Sequence, residues 1–227
     1  MKKYIDIIKK SSLFVDITEE EINSMLACLN ARIKTYKKGE YIYVSGDVIT
    51  NISIVLDGSL HVQSDDYWGN RSIISHLAKG DIFGEAYVAP TSGAFLSDVI
   101  AVEDSVICNL DASKVLTSCS SACTFHTKLI KNLFYVISSK NRTLVQKLGH
   151  VTKRSTREKL ISYLSFQAKK HNSNQFFIPF NRQQLADFLS VDRSAMSNEL
   201  CKMRDEGLLS FHKNHFVLRK GSTAPFV

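Results

Sequence analysis

Three prolines in 227 residues exclude collagen-like and low-complexity architectures, and ten glycines point the same way. No apolar run approaches the roughly 18 residues of a membrane-spanning helix, so no membrane partner is predicted. The first ten residues carry lysines but no apolar stretch, so no secretory signal is predicted. Five cysteines, an odd number thinly spread, argue against a disulfide framework and for a reducing, cytosolic setting. The spacings G-x-x-x-x-G-K, H-E-x-x-H and G-x-S-x-G are missing, and the chain is not expected to be an enzyme. The sharpest local absence runs from Gly80 to Ser113. That stretch has no Lys, Arg or His, yet it holds Asp81, Glu85, Asp98, Glu103, Asp104 and Asp111.

What is present is an ordinary globular composition, 44% hydrophobic, long enough for one large domain or two small ones. The formal charge of +7 is unevenly spread: residues 1–124 sum to −5 and residues 125–227 to +12. An acidic half followed by a strongly basic half suggests a regulatory part joined to a nucleic-acid-binding part. A merely solvated basic surface is the plainer alternative.

Thr18 and Glu21 form a capping box ahead of Ile22, Met25, Leu26 and Leu29, which recur at helical spacing. Gly39, Gly46, Gly58, Gly69 and Gly80 then punctuate short β-rich runs: 41–44, 52–56, 72–75, 98–102 and 105–108. Regular turn signals between short strands imply an antiparallel barrel or sandwich, with a hairpin tip at Trp68-Gly69-Asn70. From about Lys114 the period becomes helical. Ile130, Ile137, Leu144 and Val151 fall every seven residues, and Leu133, Phe134 and Leu148 widen the stripe. A helix of about eight turns with a seven-residue repeat wants a partner helix, or it packs on its own domain. Lys140 and Lys147 interrupt the second seam.

A second capping box, Ser155 with Glu158, opens a helix carrying Leu160, Ile161, Leu164 and Ala168. Residues 176–180, broken by Pro179, read as a short edge strand. Asn181, with Gln184 three residues on, caps a short helix to Leu189. Ser190-Val191-Asp192 is a tight turn, and Asp192 caps a second helix from Arg193 to about Glu206, stopped by Gly207. Leu185, Leu189, Val191, Met196, Leu200 and Met203 can close a core between the two. Arg193, Ser194, Ser197, Asn198 and Cys201 are left on the outer face. Two short helices on a tight turn match the geometry that places the second helix in the DNA major groove. The runs 208–211 and 216–218 read as a β-hairpin wing. Arg pairs bidentately with guanine and Asn with adenine. Lys153, Arg154, Arg157, Lys202, Arg204 and Lys213 are candidate phosphate contacts.

With these residues in view, the chain resembles the Crp/Fnr family of bacterial transcription regulators over nearly its whole length. Gly39-Glu40, Gly46-Asp47, Gly58 and the run from Gly80 to Glu85 resemble the family's β-roll pattern. Arg182 to Leu200 resembles its winged helix-turn-helix. The resemblance implies an α+β fold: an antiparallel, jelly-roll-like β-roll effector domain (1–115), a long dimerisation helix (116–150) and a winged helix-turn-helix (151–227). It also implies a homodimer joined through Ile130, Leu133, Ile137 and Leu144. That dimer binds a two-fold symmetric site in double-stranded DNA, contacts RNA polymerase and answers to a small effector. The expected DNA-binding residues are Arg182, Gln183, Arg193, Ser194, Ser197, Asn198, Lys202 and Lys213. Many members carry Arg where this chain has Asn198, so their base preference is not carried over to this chain.

In cyclic-nucleotide-binding members an Arg-Ser pair holds the phosphate and a Glu holds the ribose. Gly84 and Glu85 match, but the Arg-Ser pair falls on Phe95 and Leu96. A phosphate diester facing the acid-only stretch is poorly held, so cAMP is not expected as effector. Phe95 and Leu96 imply an apolar pocket, or one filled by the protein itself. A redox-sensing iron–sulfur cluster needs grouped N-terminal cysteines, and only Cys28 lies there. Cys119, Cys123 and His126 share a helix face and can offer three ligands to a metal or to haem, or simply pack. Haem-based nitric-oxide sensing is a further alternative, with His61, His76, His126 and His150 as conceivable axial ligands. A ligand-binding signalling module without a DNA role is the alternative of another class.

Overall fold

The computed structural model describes residues 2–87, 93–116 and 124–219. It divides into two compact units, Met1–Asn70 with Ile74–Arg142, and Arg71–Ile73 with Thr143–Val227. The division falls inside the long helix, whereas the sequence suggested boundaries at 115 and 150, on either side of it.

Two short helices, α1 (Ile5–Lys10) and α2 (Glu19–Cys28), precede eight strands, all in the first unit except the first three residues of β5. These are β1 (Arg32–Tyr36), β2 (Tyr41–Tyr43), β3 (Asn51–Asp57), β4 (Leu60–Asp65), β5 (Arg71–Leu77), β6 (Ile82–Phe83), β7 (Asp98–Ala101) and β8 (Ser105–Asp111). They form two four-stranded sheets, ordered β1-β8-β3-β6 and β2-β7-β4-β5, which is the expected β-roll. β3 is buried on both faces, which explains its unbroken apolar run. Val55 and Ile107 point into the roll with Leu60, Phe83, Phe95 and Val99. Ile52, Ile54, Cys108 and Leu110 point outward, onto α1, α2 and the first half of the long helix. Burial pushes the Cys108 thiol up to about 11, so it packs rather than reacts.

The Thr18–Glu21 capping box forms as read. The β4–β5 turn is held by Asp66, whose carboxylate accepts from the amides of Trp68 and Asn70, each at 2.9 Å. A short helix α3 (Ala112–Leu116) ends the roll. The long helix α4 is described over Thr124–Val151. Its 28 residues make a rod of about 42 Å. The buried Asn132 amide donates to the carbonyls of Leu13 (3.0 Å) and Val15 (2.8 Å), tying α4 to the N-terminal segment.

The second unit contains the tail of α4, then α5 (Thr156–His171), β9 (Gln175–Phe177), α6 (Arg182–Leu189), α7 (Arg193–Asp205), β10 (Leu209–His212) and β11 (His215–Leu218). Its sheet order is β10-β11-β9, so β9 is an edge strand, though it ends at Phe177, short of the Pro179 that lacks an N–H. Capping boxes at Ser155/Glu158 and Asn181/Gln184 start α5 and α6. Ser190 ends α6 in the left-handed region (φ 53). Leu160, Leu164, Leu185, Leu189, Met196 and Leu200 close the core with Phe176 and Phe216.

Candidate nucleic-acid interface

α7 presents two faces. Met196, Leu200 and Met203 are buried at helical spacing. Arg193, Ser194, Asn198 and Lys202 are exposed on the opposite side, with Ser197 and Cys201 half-buried beside them. Asp192 caps the helix by accepting from the Ala195 amide at 2.8 Å, and the Ser194 hydroxyl donates to the same carboxylate. Those bonds hold the Asp192 carboxyl below its ordinary range, the Ser194 hydroxyl first among them. The amino-terminal turn that would meet base edges is thereby fixed. A groove of about 620 Å³ runs between this face and the start of α5, lined by Ser155, Thr156, Arg157, Ala195, Asn198, Glu199 and Lys202.

The expected basic residues separate into two kinds. Lys153, Arg154, Lys202 and Lys213 are exposed and have no carboxylate within 4 Å among the described residues. Arg157 differs from its expected phosphate role. Its guanidinium donates to Glu199 at 3.1 Å and to Glu206 at 2.9 Å, so it clamps α5 to α7. Arg204 is likewise paired, with Asp205 at 2.9 Å. Arg182 is half-buried, its guanidinium over the rings of Phe211 (4.6 Å) and Phe216 (5.1 Å). It braces α6 against the wing, and burial lowers its pKa. Gln183 is exposed and donates to Asp187 at 2.8 Å. Lys213 sits at the wing turn with φ 52.

In the first unit the expected effector residues part company. Phe95 is buried, with ring centroids 4.6 Å from Tyr87 and 5.9 Å from Tyr43. Leu96 is 73% exposed and points away, because neighbouring residues of an extended chain face opposite sides. Gly84 adopts φ +87, and a Cβ there would lie 2.8 Å from the Asn51 carbonyl oxygen. Glu85 follows with a carboxylate 7% exposed, and Lys140 of α4 pairs with it at 2.9 Å.

α4 has a corresponding two-sidedness. Leu133 is 3% exposed and belongs to the core of the first unit, so it is not available to a partner helix as expected. Ile130, Ile137 and Leu144 are exposed, as are Phe134 and Leu148. The second exposed seam is therefore Phe134, Asn141 and Leu148. Leu133, Lys140 and Lys147 form the inward row. Lys147 lies over the Phe188 ring at 4.6 Å, and burial pushes its ammonium down to about 8.

Two family profiles match in tandem. The Cyclic nucleotide-binding domain matches residues 33–121 and the Crp-like helix-turn-helix domain residues 158–220. The chain belongs to the Crp/Fnr family of transcription regulators. The transcriptional activator protein FnrA of Stutzerimonas stutzeri is 20% identical over 78% of this chain and 72% of its own. Among solved structures, FixK2 from Bradyrhizobium japonicum aligns at 18% identity, covering 84% of this chain and 93% of its own, with a TM-score of 0.66. The c-di-GMP responsive regulator CLP of Xanthomonas campestris aligns at 15% identity, covering 88% and 98%, with a TM-score of 0.71. No described helix is long and apolar enough to cross a membrane.

For a Crp/Fnr regulator the pocket is unusual in its residues. A cyclic nucleotide does not fit them. The position of the phosphate ligand is Phe95, packed into aromatic neighbours, and the Glu85 carboxylate already has an ammonium partner. The histidines are placed as follows. His61 and His126 are buried, and His61 lies edge-on to the half-buried His76 with centroids 5.3 Å apart. His150 is buried, with its Nδ1 2.7 Å from the Ser162 hydroxyl. Cys119 and Cys123 lie outside the described residues. No group of three or more metal-ligating side chains occurs among the described residues. Sequence reasoning missed the roles of Lys140, Arg157 and Lys147. Their only local signal was a basic residue on a heptad row or a helix start.

Proposed function

We propose that the chain acts as a homodimer that reads a two-fold symmetric DNA site through α7, under a control that is not cyclic-nucleotide binding. The observation that carries this is the face of α7. Arg193, Ser194, Asn198 and Lys202 are exposed on one side of a helix whose other side is locked into the core. Arg193 stands at the first turn, where base edges are nearest, and the amino-terminal end of α5 lines the same groove. Helix termini of that kind favour phosphate. The exposed rows of α4, Ile130, Ile137, Leu144 with Phe134 and Leu148, support the dimer. In such a dimer the two copies of α7 must suit half-sites about one DNA turn apart, roughly 34–36 Å. Contact with RNA polymerase completes the reading.

The test selects bound sequences from a random duplex pool with purified protein. A palindromic consensus, weakened by Arg193→Ala, is the expected result. Enrichment of no sequence would refute the DNA reading and favour a signalling module.

A further inference from the structure

We propose that the sensor unit carries its own occupant: the ammonium of Lys140 fills the polar end of the effector pocket and holds α4 against β6 without any small molecule. The proposal rests on the regulator reading above and names how that site is controlled.

Glu85 follows a glycine turn that turns its side chain inward, and its carboxylate is nearly sealed from water. An isolated buried carboxylate is costly and must find a cation or take a proton. The 34 residues around it, from Gly80 to Ser113, supply no cation. Lys140, 55 residues further along the chain, supplies one. Its Nζ lies 2.9 Å from Oε1 and 2.9 Å from Oε2 of Glu85, and it also donates to the Ile82 carbonyl. An ammonium has three donors, and this geometry gives each an acceptor. The contact therefore joins α4 to both the last residues of the roll's first sheet and the turn that follows.

Two consequences follow from the chemistry. A ribose hydroxyl seeking Glu85 must compete with an ion pair that already engages both carboxylate oxygens. The pocket is thus closed to sugar hydroxyls by competition, independently of the Phe95 substitution. In addition, the middle turn of α4 is set by a contact within the chain, so its seat on β6 needs no ligand in this pocket.

The test uses the full-length protein, shown by mass spectrometry to carry no small molecule, and the operator selected above. Wild type is expected to bind that operator, with affinity changed less than about twofold by millimolar cAMP. Lys140→Met strands a buried carboxylate and Glu85→Gln a half-buried ammonium, and each should weaken operator binding about tenfold or more. The double variant should be no weaker than the worse single, the signature of direct coupling. Hydrogen exchange of residues 136–142 should rise in both single variants. Singles within twofold of wild type with unchanged exchange, or an additive double variant, would overturn the proposal. Failure of wild type to bind any DNA would instead sink the regulator reading, and the exchange comparison would still decide the tether.

Discussion

Replacing Arg157 by Met separates a clamp from a phosphate contact. The salt dependence of duplex binding counts neutralised phosphates, with a slope of about −0.9 per phosphate. Of the six basic residues that the sequence suggests for this role, Arg157 and Arg204 are engaged by carboxylates. Lys153, Arg154, Lys202 and Lys213 are left, four in each protomer and eight in the dimer. The slope is therefore expected near −7, against roughly −11 if all twelve took part. Between 50 and 200 mM salt the affinity should fall by about four orders of magnitude.

The assay is fluorescence anisotropy of a labelled operator across that range of salt. Arg157→Met should leave the slope unchanged. It should lower the melting temperature of the second unit, because Glu199 and Glu206 lose the cation between them. Lys202→Met should make the slope shallower by about 1.8, two phosphates per dimer. The pair Glu199→Gln with Glu206→Gln frees Arg157 and should steepen the slope by up to about the same amount. An Arg157→Met slope as shallow as that of Lys202→Met would refute the clamp. A wild-type slope near −11 would refute the count.

Arg193→Ala should cost about 1–3 kcal/mol on the selected site and much less on random DNA, by the same anisotropy assay. Gly84→Ala places a side chain at φ +87 against the Asn51 carbonyl and should destabilise the first unit by about 1–3 kcal/mol in denaturant titration. Burial, with the Lys153 charge behind it, lowers the pKa of His150. The unfolded chain then takes up the proton first as pH falls. Stability should drop below about pH 6.5 and drop less in His150→Gln, read as melting temperature against pH. The Lys147 ammonium, pushed down to about 8 from 10.5, gives the same sign in a higher window. Between those values the unfolded chain holds the extra proton, so wild type should gain on Lys147→Met as pH rises from 8 to 10. Ile137→Glu on the exposed row of α4 should convert a dimer to monomer in sedimentation equilibrium.

The sequence carried the local devices well. Three capping boxes, the Asp66 hairpin, the α6–turn–α7 unit and the wing all follow from turn and cap chemistry acting within four or five residues. What it could not carry is which of two adjacent heptad rows faces inward. Leu133 and Phe134 differ by about 100° on the helix, and both are apolar, so periodicity assigns them equally. Only the core of the first unit, which takes Leu133, decides it. Arg157 and Leu96 fail for a related reason. Basicity does not show whether a guanidinium meets phosphate or a carboxylate from 42 residues away. Equivalence to a pocket residue does not show which way the side chain turns.

The inward row of α4 explains why the lysines that seemed to spoil a seam are there. Leu133, Lys140 and Lys147 step by seven, and each meets a different surface: the apolar core, the Glu85 carboxylate and the Phe188 ring. A buried ammonium is tolerated only with a counter-charge, dense acceptors or a lowered pKa. Lys140 has the first. Lys147 donates to the Ile73 carbonyl, and burial lowers its pKa. If the row served packing alone, leucine at both positions would be the stabler choice. Both lysines instead reach an oxygen, Lys140 at the Glu85 carboxylate and Lys147 at the Ile73 carbonyl, so the row is basic where acceptors lie within reach of α4.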